Sequence, residues 1–357
     1  MADGRLFSSW VPMRRTSSHG RTSSIRTIGA SAGLPRRESL ATAMAQSAPR
    51  RTLTVMDNVI EVSGLRKTYG SLVAVQDVSF SVRRGEIFGV LGPNGAGKTT
   101  TVESIAGLRR PSAGAIRVLG LDPERDGRQL RQRLGVQLQQ ATLPDRLKVW
   151  EALELFASFY QAPADWRRLV EEWDLTEKEN ASFASLSGGQ RQRLFIALAL
   201  VGDPEVVILD ELTSGLDPQA RRATWELVRA VRDAGTTVVL VTHFMDEAER
   251  LCDRLAIIDE GRIVASGSPR DLIDGIGVEP RVRFTANGSD LGFLEAVAGV
   301  SRVMREGGDA VVHGRGPILA RVASALAEHD IHPLDLRAVH PSLEDVFLAL
   351  TGKQLRD

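Results

Sequence analysis

Cysteine is almost missing from this chain of 357 residues: there is one, Cys252, so no internal disulfide can form. Tyrosine is nearly as scarce, with two residues. Long apolar runs are missing as well. The longest, Leu194–Gly202, adjoins Arg193 and falls well short of the roughly 18 apolar residues that a membrane-spanning helix needs. Work at a membrane would therefore require a partner that crosses it. Nor is there an excess of either charge. The 45 basic side chains balance 45 acidic ones, which removes the electrostatic case for bulk nucleic-acid binding. The remaining composition, 43% hydrophobic and 25% charged, suits a folded chain of two or three domains.

The neutral total conceals an uneven distribution. Residues 1–56 hold nine arginines against Asp3 and Glu38, a net charge of +7. This segment is rich in serine and has no apolar period, the composition of a disordered extension. Arg- and Ser-rich, acid-poor sequence also describes an organelle transit peptide, and Met44 and Met56 are later candidate starts.

From Asn58 onward, strand and helix patterns alternate. Short strands are expected around Val59–Val62, Val78–Val82 and Glu86–Leu91. A helix over Thr99–Gly107 follows a glycine-rich loop. Helices over Trp150–Tyr160, Ala164–Asp174 and Ser187–Val201 have no strand between them. Strands at Glu205–Leu209, Thr236–Val241 and Arg254–Ile258 alternate with helices over 218–234 and 244–251. Such alternation implies an α/β fold with a mainly parallel sheet and a helical insertion. A boundary falls near Gly275–Pro280, dividing residues 57–275 from 276–357. Beyond it the pattern reads β-α-β-β-α-β, the order of the ferredoxin-like split motif, with a last amphipathic helix over Ser342–Leu350. The apolar face of that helix is expected to pack on the region's own sheet or on a second protein chain.

Three segments carry chemistry. Gly92-Pro93-Asn94-Gly95-Ala96-Gly97-Lys98-Thr99-Thr100 fits G-x-x-x-x-G-K-[ST] between a strand and a helix. Glycines let backbone N–H groups turn toward phosphate oxygens, and the helix N-terminus adds its positive dipole end. Lys98 supplies a point charge for phosphates, and the Thr99 hydroxyl can ligate Mg²⁺. Gly95-Ala96-Gly97 lacks the third glycine of a dinucleotide fingerprint. Glu205–Leu209 runs into the acids Asp210 and Glu211, placed to hold Mg²⁺ through water and to act as a general base. Leu186-Ser187-Gly188-Gly189-Gln190 opens a helix that Ser187 can cap.

Together and in this order, these segments resemble the ATP-binding cassette (ABC) ATPases from about Asn58 to Pro269. Walker A lies at 92–99, the signature at 186–190 and Walker B at 206–211. The resemblance implies a P-loop NTPase cassette: a mainly parallel sheet core, an antiparallel β subdomain and a helical subdomain, followed here by a small C-terminal α+β domain. It also implies ATP and Mg²⁺ as cofactors, with Thr99, Asp210 and Gln139 at the metal. Gln139 takes the Q-loop position, although Gln137 and Gln140 leave the register open. Ser214-Gly215-Leu216-Asp217 resembles the D-loop, His243 the switch histidine and Tyr69 the aromatic that stacks on adenine. Leu212 stands where many cassettes have proline. In this family the signature residues Ser187, Gly188, Gly189 and Gln190 face the nucleotide of a second cassette. A homodimer or a paired cassette is therefore expected.

Leu212–Pro218, Thr242–Glu249 and Pro341–Phe347 resemble the ABC-2, daunorubicin-resistance-type exporter branch. That implies drug export, and with it antibiotic resistance, through an ABC-2-type transmembrane permease at the cytoplasmic face of the cell membrane, with no nucleic-acid partner. An importer subunit, or a soluble ABC ATPase acting on ribosomes or DNA, is the alternative. The 47 residues from Gln139 to Leu186 suit a small helical subdomain but not the long coiled coil of chromosome and repair members.

Overall fold

The computed structural model describes residues 57–139, 141–286 and 290–352. The expected extension over 1–56, and Gln140, lie outside the described residues.

The described residues open with two twelve-residue strands, β1 (Asn58–Tyr69) and β2 (Leu72–Arg83), joined at Gly70, whose φ of +58° suits a tight turn. The fully buried β3 (Ile87–Leu91) leads through the glycine-rich loop into α1 (Lys98–Ile105). β4 (Ala113–Val118), α2 (Gly127–Leu130) and β5 (Leu134–Gln137) follow. The helical insertion holds α3 (Val149–Ala157), α4 (Trp166–Glu172) and α5 (Gly188–Leu200). Then come β6 (Val206–Asp210), α6 (Pro218–Asp233), β7 (Thr237–Thr242) and α7 (Met245–Leu251). β8 (Arg254–Asp259), β9 (Arg262–Gly267) and α8 (Pro269–Gly275) complete this part. The C-terminal elements are β10 (Arg281–Thr285), β11 (Val300–Glu306), β12 (Asp309–Gly314), α9 (Ile318–Glu328), β13 (Arg337–Val339) and α10 (Leu343–Thr351).

The described residues cluster into two units, each discontinuous in sequence. The first comprises 57–60, 82–85 and 117–238. Here β5 and β6 run parallel, with Leu134 opposite Val206 and Gln137 opposite Leu209. All five residues of β6 are buried, as expected of a parallel strand covered on both faces. α5 lies close over β5: a Cβ on Gly135 would sit 2.1 Å from the Ala199 carbonyl oxygen, so only glycine allows the approach. α3 packs on α4 and α5. At the start of β6, Glu205 accepts hydrogen bonds from Arg133 (2.6 Å) and Arg84 (2.9 Å).

The second unit comprises 61–81, 86–116 and 239–352. Its larger sheet is ordered β4-β1-β2-β9-β8-β3-β7. β3 runs parallel to β8, whereas β8 and β9 form an antiparallel hairpin. The sheet is therefore mixed: β9 pairs in parallel with β2 on one side and antiparallel with β8 on the other. Cys252 is buried against Gly89, and burial raises its thiol pKa well above the usual range, so the thiol is inert.

A second sheet in this unit is ordered β11-β12-β10-β13, with antiparallel neighbours throughout. Chain-order neighbours β10 and β11 are thus separated by β12, the arrangement of a split β-α-β motif. The first helix of the expected β-α-β-β-α-β order is a short 3-10 turn, Gly292–Ala296. Val282, Phe284 and Val312 from the strands and Ile318, Val322 and Leu326 from α9 form this region's own core. α10 corrects one expectation. Its buried Leu343, Val346 and Phe347 pack on neither alternative expected: the helix lies on α7 and α8. The Leu343 N–H donates to Glu249 of α7 (3.4 Å), and Arg281 of β10 bonds to Asp345 (2.8 Å).

Candidate nucleotide-binding and hydrolysis site

The expected site residues fall into two groups, one in each unit. In the second unit, the loop after β3 is shaped by glycine. A Cβ on Gly92 would meet the Ile258 carbonyl oxygen at 2.1 Å. One on Gly97 would meet that of Ala74 at 2.5 Å, and Gly97 has φ of +101°. Gly95, at φ +81°, faces open space. Lys98 is buried, and its Nζ donates to the carbonyl oxygens of Gly92 (2.7 Å) and Pro93 (3.0 Å). No side chain caps the N-terminus of α1, where Thr99 and Thr100 lie in the first turn. Uncapped amides at the positive end of a helix, a lysine folded onto the loop and glycine-only backbone fit a polyphosphate chain.

Sequence reasoning missed a brace on this loop. Gly261, in the β8–β9 turn, donates its N–H to the Ala96 carbonyl (3.0 Å) and accepts from Gln76 N–H (2.8 Å). The glycine between two apolar runs was the available signal. Tyr69 ends β1 with 39% of its surface exposed. His243 follows β7, is half-buried, and lies against Phe244 with ring centroids 4.1 Å apart and the ring planes tilted by 40°.

In the first unit, β6 delivers Asp210 fully buried at its carboxyl end. Glu211 comes next with φ of +49°, a left-handed conformation that costs a non-glycine residue on the order of 1–3 kcal/mol and gathers at functional sites. The Glu211 carboxylate accepts from the Gln139 amide (2.5 Å) and from the Ser214 hydroxyl (3.4 Å). Gln137 is buried instead and donates to the Leu138 carbonyl (2.9 Å). Of the described glutamines in this run, Gln139 is the one bonded to the acid.

Ser187 caps α5 in a reciprocal box: Gln190 N–H donates to the Ser187 hydroxyl (3.3 Å), and Ser187 N–H donates to the Gln190 side-chain oxygen (2.9 Å). A Cβ on Gly188 would meet nothing within 4 Å, so the first turn presents bare backbone. Asp217 caps α6 by accepting from Gln219 N–H (3.0 Å) and Ala220 N–H (2.9 Å). Both bonds go to Oδ1, so that oxygen is committed to its own helix.

Among the described residues, no group of three or more His, Cys, Asp or Glu could enclose a metal ion. Mg²⁺ needs no such cage. It keeps several waters and takes one or two carboxylates plus phosphate oxygens, and Asp210 in the first unit is a carboxylate of that kind. Among the described residues, no helix is long and apolar enough to cross a membrane.

Residues 75–214 match the family model described as ABC transporter. The chain is 41% identical over 310 residues to the Nod factor export ATP-binding protein I of Ralstonia nicotianae, covering 84% of this chain and 95% of that protein. It is 40% identical to the protein of the same name from Rhizobium etli, covering 83% and 94%. Among solved structures, an ATP-binding subunit of an ABC transporter aligns at 32% identity with a TM-score of 0.57, over 61% of this chain and 93% of the other. The dimeric cassette MJ0796, in a post-hydrolysis state with ADP and Pi, aligns at 26% and 0.53, over 58% and 98%. The chain therefore belongs to the ABC transporter family, as an ATP-binding cassette subunit that hydrolyses ATP to power transport.

Proposed function

We propose that this chain drives export. The supporting observation is its identity of 41% with a protein named for Nod factor export, over an aligned length that far exceeds the 75–214 cassette match. The substrate we assign is drug-like or otherwise hydrophobic. Its path is a separate ABC-2-type permease that holds this chain at the cytoplasmic face of the membrane. Residues 57–275 form the ATPase domain and 276–357 an accessory domain, with 1–56 as an extension.

Within the cassette, Gly92 through Thr100 hold the triphosphate, and Tyr69 stacks on the adenine. Mg²⁺, when bound with ATP, supplies charge neutralisation at the phosphates; Thr99, Gln139 and Asp210 hold it. Glu211 accepts the proton of the attacking water, and Gln139 orients that carboxylate. His243 contacts the phosphate end of the nucleotide. Ser187, Gly188, Gly189 and Gln190 serve the nucleotide of a second copy of this chain or of a paired cassette, and Asp217 shapes that contact by holding the start of α6.

The test is transport in inverted membrane vesicles that contain this chain and an ABC-2-type permease that copurifies with it. ATP-dependent uptake of a fluorescent hydrophobic drug is expected, and Glu211→Gln should abolish it. Export of the drug class is overturned by vesicles that hydrolyse ATP yet accumulate none of a panel of such drugs.

A further inference from the structure

The surroundings of Tyr69 contain more than a stacking ring. Lys67 Nζ lies 5.1 Å from the centre of the Tyr69 ring, and Arg109 Cζ lies 5.6 Å from it. Both cations are anchored at the same place, the loop that follows α1. Lys67 Nζ donates to the Arg110 carbonyl (2.7 Å). Arg109 is clamped by Glu103 of α1 through two hydrogen bonds, from Nε and, at 3.5 Å, from Nη2. Glu103 is 8% exposed, and this fork raises the Arg109 pKa, with the Glu103 hydrogen bond as the main cause. The same loop is sewn to β1 by Ser112 N–H donating to the Arg66 carbonyl (2.8 Å) and Thr68 N–H donating to the Ser112 hydroxyl (3.1 Å). The helix that begins at the phosphate loop thus ends in an acid that holds an arginine against the aromatic ring.

We propose that Arg109 is a positioning residue for nucleotide binding: clamped by Glu103, it braces Tyr69 from the side of the 109–112 loop and leaves the remaining ring surface for the base. The proposal rests on the assignment of Tyr69 as the base-stacking residue. An unbraced tyrosine at the end of a hairpin strand would lose side-chain rotamer freedom when a base stacks on it. A ring already held by a guanidinium has lost that freedom beforehand. The cations also draw on the ring's electron density, which favours contact with an electron-rich purine. Since α1 links Lys98 to Glu103, the triphosphate and the base are held by the two ends of one helix.

The test compares ATP with inorganic tripolyphosphate, which has the phosphates and no base, by measuring the affinity of each for the full chain. Removing Arg109 alone would leave Glu103 buried without its partner, so the variants are Arg109→Lys, which keeps the charge, and the double variant Glu103→Gln with Arg109→Gln, which removes both. Each should weaken ATP by about two- to fivefold, the worth of an exposed cation–π contact, and leave tripolyphosphate affinity unchanged. In steady-state hydrolysis the loss should fall on KM rather than on kcat. Equal weakening of ATP and tripolyphosphate, or of neither, overturns the proposal. Tyr69→Ala separates the two levels of the argument. Should it leave the preference for ATP over tripolyphosphate intact, the stacking assignment itself fails. Should it erase that preference while both Arg109 variants keep it, the stacking assignment stands and the brace fails.

Discussion

Gln139 donates its side-chain amide to the carboxylate of Glu211 across 2.5 Å, and Glu211 holds that position from a left-handed backbone at φ +49°. A glutamate one residue past a buried strand would ordinarily turn toward solvent. Here the backbone is turned against its preference, and a neutral donor fixes one carboxylate oxygen. The hydrogen bond fixes the direction of the carboxylate, and a group proposed as general base must first meet such a geometric requirement.

Glu211→Gln should therefore bind ATP like the parent and turn it over about 10²–10⁴ times more slowly, the usual cost of losing general-base help. Gln139→Ala should act less severely, lowering kcat while leaving nucleotide affinity within about twofold, because one neutral hydrogen bond is worth roughly 1 kcal/mol. Single-turnover hydrolysis together with equilibrium ATP binding separates the two effects. Undiminished turnover in Glu211→Gln would remove the residue from the chemistry.

Gly97→Ala should reduce ATP binding before it reduces folding. The new Cβ would lie 2.5 Å from the Ala74 carbonyl oxygen, and alanine is strained at φ +101°. Gly261→Ala is expected to act on the same loop from the β8–β9 turn. Its Cβ would meet Ala74 O and Gln76 N at 3.0 Å, and the strain would disturb its hydrogen bond to Ala96. Each variant is predicted to raise the Kd for ATP by tenfold or more, measured by titration calorimetry. An unchanged Kd in Gly261→Ala would show that the β8–β9 turn does not shape the phosphate loop.

The cassette was readable because its chemistry resides in contiguous segments: a glycine loop between strand and helix, an acid pair at a strand end, and a capped helix after a loop. The elements that went unread share a physical cause. β4 and β9 are largely exposed or half-buried and β5 has only four residues, so none shows the continuous five-residue buried run of β3 or β6. Gln139 could not be separated from its neighbouring glutamines by spacing, since only a contact 72 residues away distinguishes it. Arg109 and Glu103 gave no signal, because an arginine after a helix resembles a solvated end. The destination of α10 was hidden for a related reason. Periodicity reveals an apolar face but not the surface that receives it.

Glu205 provides a pH test. Its carboxylate is held below the usual range chiefly by the hydrogen bond from Arg133, then by that from Arg84. A depressed acid stabilises the fold above its unfolded pKa, near 4.3, and that contribution is lost as pH falls through the lower folded value. Glu205→Gln should therefore lower stability at pH 7 and cost nothing once the parent acid is itself protonated. The side chain is about one-third exposed, so the effect at pH 7 should be no more than about 1 kcal/mol. Urea unfolding at pH 7 and pH 3 checks the sign, and a larger deficit at pH 3 would contradict it.

The C-terminal helix offers the most consequential test. Phe347 is 1% exposed, and the face it shares with Leu343 and Val346 lies on α7 and α8. α7 begins two residues after His243. Removing α10 would therefore uncover apolar surface on the helix that follows His243 and free Glu249 of its contact with Leu343. Phe347→Ala is expected to destabilise the protein by about 3–5 kcal/mol, the range for emptying a buried aromatic site. Truncation after Gly275 should lower the Tm by more than Phe347→Ala does, since it exposes the whole face as well as deleting the second sheet. ATP affinity in whatever fraction stays folded should remain near that of the full chain, because no residue of β10 through α10 belongs to the phosphate loop. Differential scanning calorimetry of both variants, followed by ATP titration at a temperature well below each Tm, separates the two effects. A truncated chain with an unchanged Tm would mean that α10 contributes nothing to holding α7. One that is folded but no longer binds ATP would place the C-terminal region at the nucleotide.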